Sequence, residues 1–175
     1  MSKADWPQDI ADMQTGFAGR LNVYRVMAHH PALMRAWAPL RAHVVQDNAL
    51  GAQRSEVVIL RTGHRAGAAY EWAHHISRAR ACGMSDARIA SIAGPLDGMA
   101  PEDAVIAGAV DALVDKHHLP EAERDALQAL VGTAGVFDVM ATVGFYSTLA
   151  FIVKTFGTPL DADVAAELDA RPLAP

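Results

Sequence analysis

The sequence predicts an all-α protein, and three observations carry that. Ala and Leu are common, and apolar residues recur at helical spacing. Every Gly/Pro cluster sits where one such segment stops and the next starts. Asn-Gly or Asp-Gly turns between alternating Val/Thr/Tyr runs, the mark of a β-hairpin, are missing.

The elements follow in order. A first helix is predicted over about Gly16 to His29, with Phe17, Leu21, Tyr24 and Met27 on one stripe. Pro31 opens a second, with Leu33, Trp37, Leu40 and Val44 inward, and Pro39 should kink or split it. Asn48 to Gly51 is a connection. A third helix runs from about Gln53 to Arg65, and Gly67 interrupts it. The fourth covers about Ala68 to Cys82, ended by Gly83. Ser85 caps a short fifth helix through Ile92, and Gly94-Pro95 ends it. Pro101 opens a sixth, with Val105, Ala109, Leu113 and Val114 inward, and Pro120 a seventh, through Val131. The eighth, about Val136 to Phe156, is apolar on nearly all sides, as in a bundle centre or a subunit interface. The proline-bearing tail, 158–175, is expected to pack weakly or to reach a neighbour.

At 175 residues the chain reads as one domain, 1–175, with helices 1–50 as an extension, a core of about 51–157 and the tail. A net charge of −5 and the lack of any Lys/Arg run argue against a nucleic-acid surface. Cys82 is the only cysteine, so an internal disulfide or redox dithiol is excluded and a reducing compartment fits. The first residues carry no apolar signal-peptide core. The longest uncharged apolar stretch, Val139 to Val153, is 15 residues, short for a membrane span. The cytoplasm is the default expectation, with no membrane partner.

The chemistry concentrates on the fourth helix. Glu71, His75, Arg78 and Cys82 fall at i, i+4, i+7 and i+11, one stripe, with Trp72, Ile76 and Ala79 beside it. Glu56 lies on the preceding helix. Two carboxylates and an imidazole in an apolar setting form a proton-transfer site, with Trp72 and Ile76 lining a pocket and Glu71 and His75 at its floor. The competing reading is an ordinary surface ion pair between Glu71 and His75. Cys82 reads as a small buried residue before the C-cap. The doublets His29-His30, His74-His75 and His117-His118 do not make a metal site. Adjacent helical residues point about 100° apart, and no HExxH or Cys/His ligand set is present. His29, His30, His117 and His118 read as helix C-terminal residues, and His64 as another cap. No metal and no cofactor is expected.

Three segments together resemble the carboxymuconolactone decarboxylase family, related to the alkylhydroperoxidase D-like proteins. They are Ser55-Glu56-Val57-Val58-Ile59-Leu60-Arg61, Tyr70-Glu71-Trp72-Ala73-His74-His75 with Ala79 to Asp86 after it, and Val143-Gly144-Phe145-Tyr146. The resemblance implies an alkylhydroperoxidase D-like helical bundle, assembled as trimers or hexamers with pockets near subunit contacts. Its peroxidase-like branch carries a glutamate, two cysteines and a histidine. On this chain those positions are Glu56, Ala68, Glu71 and His75, so both thiols are missing and a dithiol cycle is disfavoured.

The decarboxylase branch, which needs no metal or organic cofactor and acts on a small carboxylated lactone, fits better. On that reading His75 supplies a proton to the enolate left by carbon dioxide loss. Glu71 orients the imidazole and raises its pKa, and Glu56 relays protons. Arg61 and Arg78 are candidates to bind substrate oxygens, with Trp72 and Tyr146 lining the site. The expected function is cofactor-independent decarboxylation or related proton transfer on a small carboxylated lactone or enolisable acid. The alternatives are a thiol oxidoreductase and a non-catalytic small-ligand-binding protein.

Overall fold

The structure, a computed structural model, describes residues 6–16 and 18–173, and among these there is no strand. A 3-10 turn, Gln8–Ile10, leads into α1 (Ala11–Gln14), and a second, Ala18–Arg20, precedes α2 (Asn22–Met27). The single helix expected over 16–29 is therefore broken, and Phe17 of its stripe lies outside the described residues. The break is at Leu21, which is extended (φ −104°, ψ 134°). The start of α2 is capped from the far end of the chain: the Asn22 backbone N–H donates to Asp161 Oδ1 at 3.0 Å. Tyr24 and Met27 are buried as expected, and Leu21 is half-buried.

In α3 (Pro31–Ala42), Pro31 opens the helix and His30 Nδ1 caps it by accepting from the Leu33 N–H. Pro39 does not split it. The helix runs through the proline and then widens to one π turn, His43–Asp47. The expected inward set is also corrected. Met34 and Val44 are buried, whereas Leu33 and Leu40 are 40% and 42% exposed.

Next come α4 (Ala52–Arg65), α5 (Ala69–Ala81) and α6 (Asp86–Ser91), the last capped by the Ser85 hydroxyl, which accepts from the Arg88 N–H. In α7 (Pro101–Lys116) the deepest residues are Ile106, Ala109 and Val110, while Val105, Leu113 and Val114 sit at the margin of the core. The long run α8 (Glu121–Thr155) consists of two helices joined at Gly132, whose φ of 72° and ψ of 173° turn the chain. Finally α9 (Ala162–Ala170) occupies the tail.

Two apolar clusters build the interior. One joins α4, α5, α7 and α8 through Val58, Leu60, Ile76, Ile106, Val110 and Val139. The other packs the N-terminal elements on the same α8 through Tyr24, Met27, Met34, Ile59, Phe145 and Leu149. Val58 and Leu60 serve the first cluster and Ile59 the second, so α4 lies on the seam between them. By length and composition α8 could cross a membrane. However, 56% of its most apolar window is buried inside the protein, and it serves as the central core helix. Its outer face leaves Phe137 and Phe151 67% and 66% exposed.

The tail does not pack weakly. Asp161 is buried, and α9 docks on α5, where Glu167 pairs with Ser77 and Arg80; Arg171 pairs with Asp86.

Candidate active site

At Gly63 α4 and α5 are close enough that an added Cβ would sit in van der Waals contact with Glu71 Cβ, at 3.4 Å. The two helices thereby bring Glu56, Glu71 and His75 together. His75 Nδ1 is 2.6 Å from Glu56 Oε2, and its Nε2 is 3.9 Å from Glu71 Oε2. His75 and Glu71 are 3% and 4% exposed, so this is no surface ion pair. The expectation that Glu71 orients the imidazole is corrected: Glu56 does so at hydrogen-bond distance, because α5 turns the Nδ1 edge toward α4. A carboxylate accepts, so Glu56 places the proton on Nδ1 and leaves Nε2 facing Glu71. The Tyr146 ring stands edge-on to the imidazole, 5.0 Å between centroids and 87° between planes.

The two carboxylates have unlike surroundings. Burial raises the Glu71 carboxyl above its ordinary range, and nearby His75 and Arg78 offset this only in part. Glu71 Oε1 has no hydrogen-bond partner among the described residues. Glu56 instead lines a cavity of about 360 Å³ together with Asn48, Ser55, Arg78 and Cys82. On the Glu71 side is a small pocket of about 20 Å³, bounded by Tyr24, Arg41, Glu71, His75, Arg78 and Tyr146. That is room for about one water. Burial also raises the Tyr146 and Tyr24 hydroxyls, and Arg41, hydrogen-bonded to Tyr24, pulls the latter back down.

Of the residues singled out from the sequence, Glu56, Glu71, His75, Arg78 and Tyr146 converge here. Arg61 does not. It is buried elsewhere, with Nη2 at 2.6 Å and Nε at 2.8 Å from the Asp111 carboxylate, and with Nη1 donating to the Ile92 and Gly94 carbonyls. It ties α4 to α7. Trp72 lies on another face, its ring 5.9 Å from that of exposed His64, and Ile76 belongs to the core. The pocket wall is formed instead by Tyr24 and Arg41, whose separation from Glu71 along the chain hid them. Cys82 is not a buried filler: half-buried, it is the C-cap of α5 and shares the larger cavity with Glu56. Burial and the Glu56 charge both push its thiol up, away from the reactive thiolate. His30 caps a helix start, not an end, and His117 ends α7 in the left-handed region at φ 62°. No group of three potential ligands able to hold a metal occurs among the described residues.

Residues 31–115, which include Glu56, Glu71 and His75, match the sequence model of the carboxymuconolactone decarboxylase family. Two solved structures share the fold. One is the alkylhydroperoxidase AhpD core of an uncharacterized peroxidase-related protein from Ralstonia eutropha JMP134. It is 18% identical, with a TM-score of 0.79 over 94% of this chain and 91% of that one. The other is the debrominase Bmp8, as a variant in complex with 2,3,4-tribromopyrrole. It is 16% identical, with a TM-score of 0.77 over 97% and 94%. At such identities the likeness is one of fold, an AhpD-like helical bundle. A comparison with curated proteins found no significant match.

Proposed function

We propose that the chain, whose residues 31–115 match the carboxymuconolactone decarboxylase family, is a member of that family and a cofactor-independent decarboxylase, or a closely related proton-transfer enzyme, acting on a small carboxylated lactone or enolisable acid. The observation that carries this is a buried imidazole held between two carboxylates of unlike environment. Groups whose surroundings push them apart are the usual basis for dividing acid and base roles.

In this reading the substrate C–C bond breaks heterolytically. Carbon dioxide leaves, and the electron pair stays in an enolate. Glu71, whose protonated form burial favours, delivers its proton to the carbon and becomes a carboxylate. Glu71 regains its proton from a water in the small pocket, oriented by His75 Nε2, which faces it as an acceptor while Glu56 holds the imidazole by its Nδ1–H. Glu71, His75 and Glu56 are the catalytic residues. Arg78 and Tyr146 contact substrate, with Arg78 countering the charge. Arg61 and Trp72 keep structural places.

A thiol cycle is disfavoured because Ala68 and Glu71 stand at the thiol positions and Glu56 works against a Cys82 thiolate. The enzyme works in the cytoplasm as a homo-oligomer, a trimer or hexamer, and the exposed Phe137–Phe151 face of α8 supports self-association.

The test is product formation from carboxylated lactones and solvent deuterium incorporation at the protonated carbon. His75→Ala and Glu71→Gln should abolish both while the fold is kept. Full activity in His75→Ala sinks the reading. Tight ligand binding with no turnover on any such acid would leave a non-catalytic binding protein.

A further inference from the structure

The N-terminal elements line a third cavity, of about 180 Å³ and open on one side, that the chemistry above does not use. Its side walls are apolar, chiefly Met13, Met34 and Trp37, with Ala38 between them. Its remaining wall is Tyr24 and Arg41, and these same two residues bound the small pocket at Glu71 and His75. The chamber is thus next door to the reaction centre, separated by one arginine and one tyrosine.

Trp37 is fixed by its stack on Phe145, with ring centroids 4.4 Å apart and planes at 30°. Its Nε1–H is buried and has no acceptor among the described residues. A buried donor is costly to leave unmatched, so one in a cavity wall favours contents that bring an acceptor. The Arg41 guanidinium adds a positive charge to the same wall and matches a carboxylate in shape. The volume is below the roughly 300–1,000 Å³ of drug-sized pockets, so the occupant is small. The packing of α1, α2 and α3 builds the chamber, and half of its lining, Met13, Gly16, Ala18 and Tyr24, precedes the family-matched span.

We propose that this chamber binds a small, flat, largely apolar monocarboxylate. Its ring lies against Trp37 and Met34, and its carboxylate sits on Arg41, with the Trp37 N–H as a second donor. The binding claim stands on the chamber alone; only its role as the substrate site rests on the proton-transfer reading above.

The probe is benzoate, titrated calorimetrically into the full chain. Saturable one-to-one binding is expected, with benzyl alcohol and acetate each weaker by about ten-fold or more, since one lacks the charge and the other the ring. Arg41→Gln should weaken benzoate by about ten-fold or more. Ala38→Phe, which fills the chamber while keeping Arg41, should abolish binding. Thermal melts check that both variants fold. No saturable binding at millimolar benzoate, or binding indifferent to both variants, overturns the proposal. His75→Ala keeps the two ideas apart: it should bind benzoate like the parent while losing turnover. Lost turnover without benzoate binding in the parent sinks only the chamber. Benzoate binding with full turnover in His75→Ala sinks only the chemistry.

Discussion

His74 and His75 are adjacent on α5, and both are buried, yet their surroundings differ in kind. His74 Nε2 lies 3.0 Å from Asp161 Oδ2, within ion-pair reach but without hydrogen-bond geometry, in a cluster centred on that one buried carboxylate. The Tyr70 hydroxyl donates to the same carboxylate at 2.5 Å, and the Asn22 N–H donates to its other oxygen. That cluster joins three distant parts of the chain: the tail, α5 and the start of α2. The His75 cluster joins only neighbouring helices and is left under-satisfied. It has a buried carboxyl oxygen without a partner, and cavities on both sides. A polar network in which one carboxylate ties distant segments together holds a fold together. One with a spare acid facing a cavity is set up for chemistry.

The largest effect should separate these roles outright. His75→Ala is expected to cost roughly 10²–10⁴ in rate on the true substrate, the range for a positioned acid–base group, with a melting temperature near the parent's. Adding Glu71→Gln should cost little more than the worse single change, since one unit is already broken. Kinetics of the three variants checks this, and strict additivity would argue against a shared unit.

Next, Asp161→Ala should do the opposite and destabilise the protein by roughly 2–4 kcal/mol, because each buried group left unpaired costs about 1–3 kcal/mol. Urea melts measure it, and hydrogen exchange should report loosening of α2 and α9 together. Tyr70→Phe, which removes one donor, should cost less, about 1 kcal/mol.

A smaller effect has a distinctive pH dependence. In the unfolded chain Glu71 titrates near its ordinary 4.5, whereas burial keeps it protonated to higher pH in the folded chain. Above 4.5 the unfolded chain therefore sheds a proton that the native one retains, and native stability falls as pH rises toward the raised value. Glu71→Gln removes that fall. The variant should melt higher than the parent at neutral pH, and the advantage should vanish below about pH 4. His74 slopes the other way. Burial lowers it from 6.5, so the native chain keeps it neutral where the unfolded chain protonates, and stability drops as pH falls below 6.5. His74→Gln should flatten that limb of a melting-temperature profile.

The smallest effect is expected at Cys82. Cys82→Ala should leave the fold nearly unchanged, and the parent should not turn over peroxide with a dithiol donor. Robust peroxidase activity lost on this one substitution would move the chemistry to the larger cavity.

Helical character, the placement of most helix ends and the shared face of Glu71 and His75 were legible in the sequence, because each depends on residues within a turn or two of one another. Ser85 caps its own helix, Gly83 ends the one before, and the two helices meeting at Gly132 are separated in the amino-acid pattern as they are in space. The tertiary structure alone decided which carboxylate grips His75, since Glu56 and Glu71 reach opposite edges of the ring only at the observed α4–α5 approach. It also decided that Arg61 is consumed by Asp111 and that Tyr24 and Arg41 close the pocket. The broken first helix belongs here too, because its cap, Asp161, comes from 139 residues away. Local periodicity fixes which residues share a face. What that face meets depends on packing between segments far apart in the chain, and no local pattern encodes it.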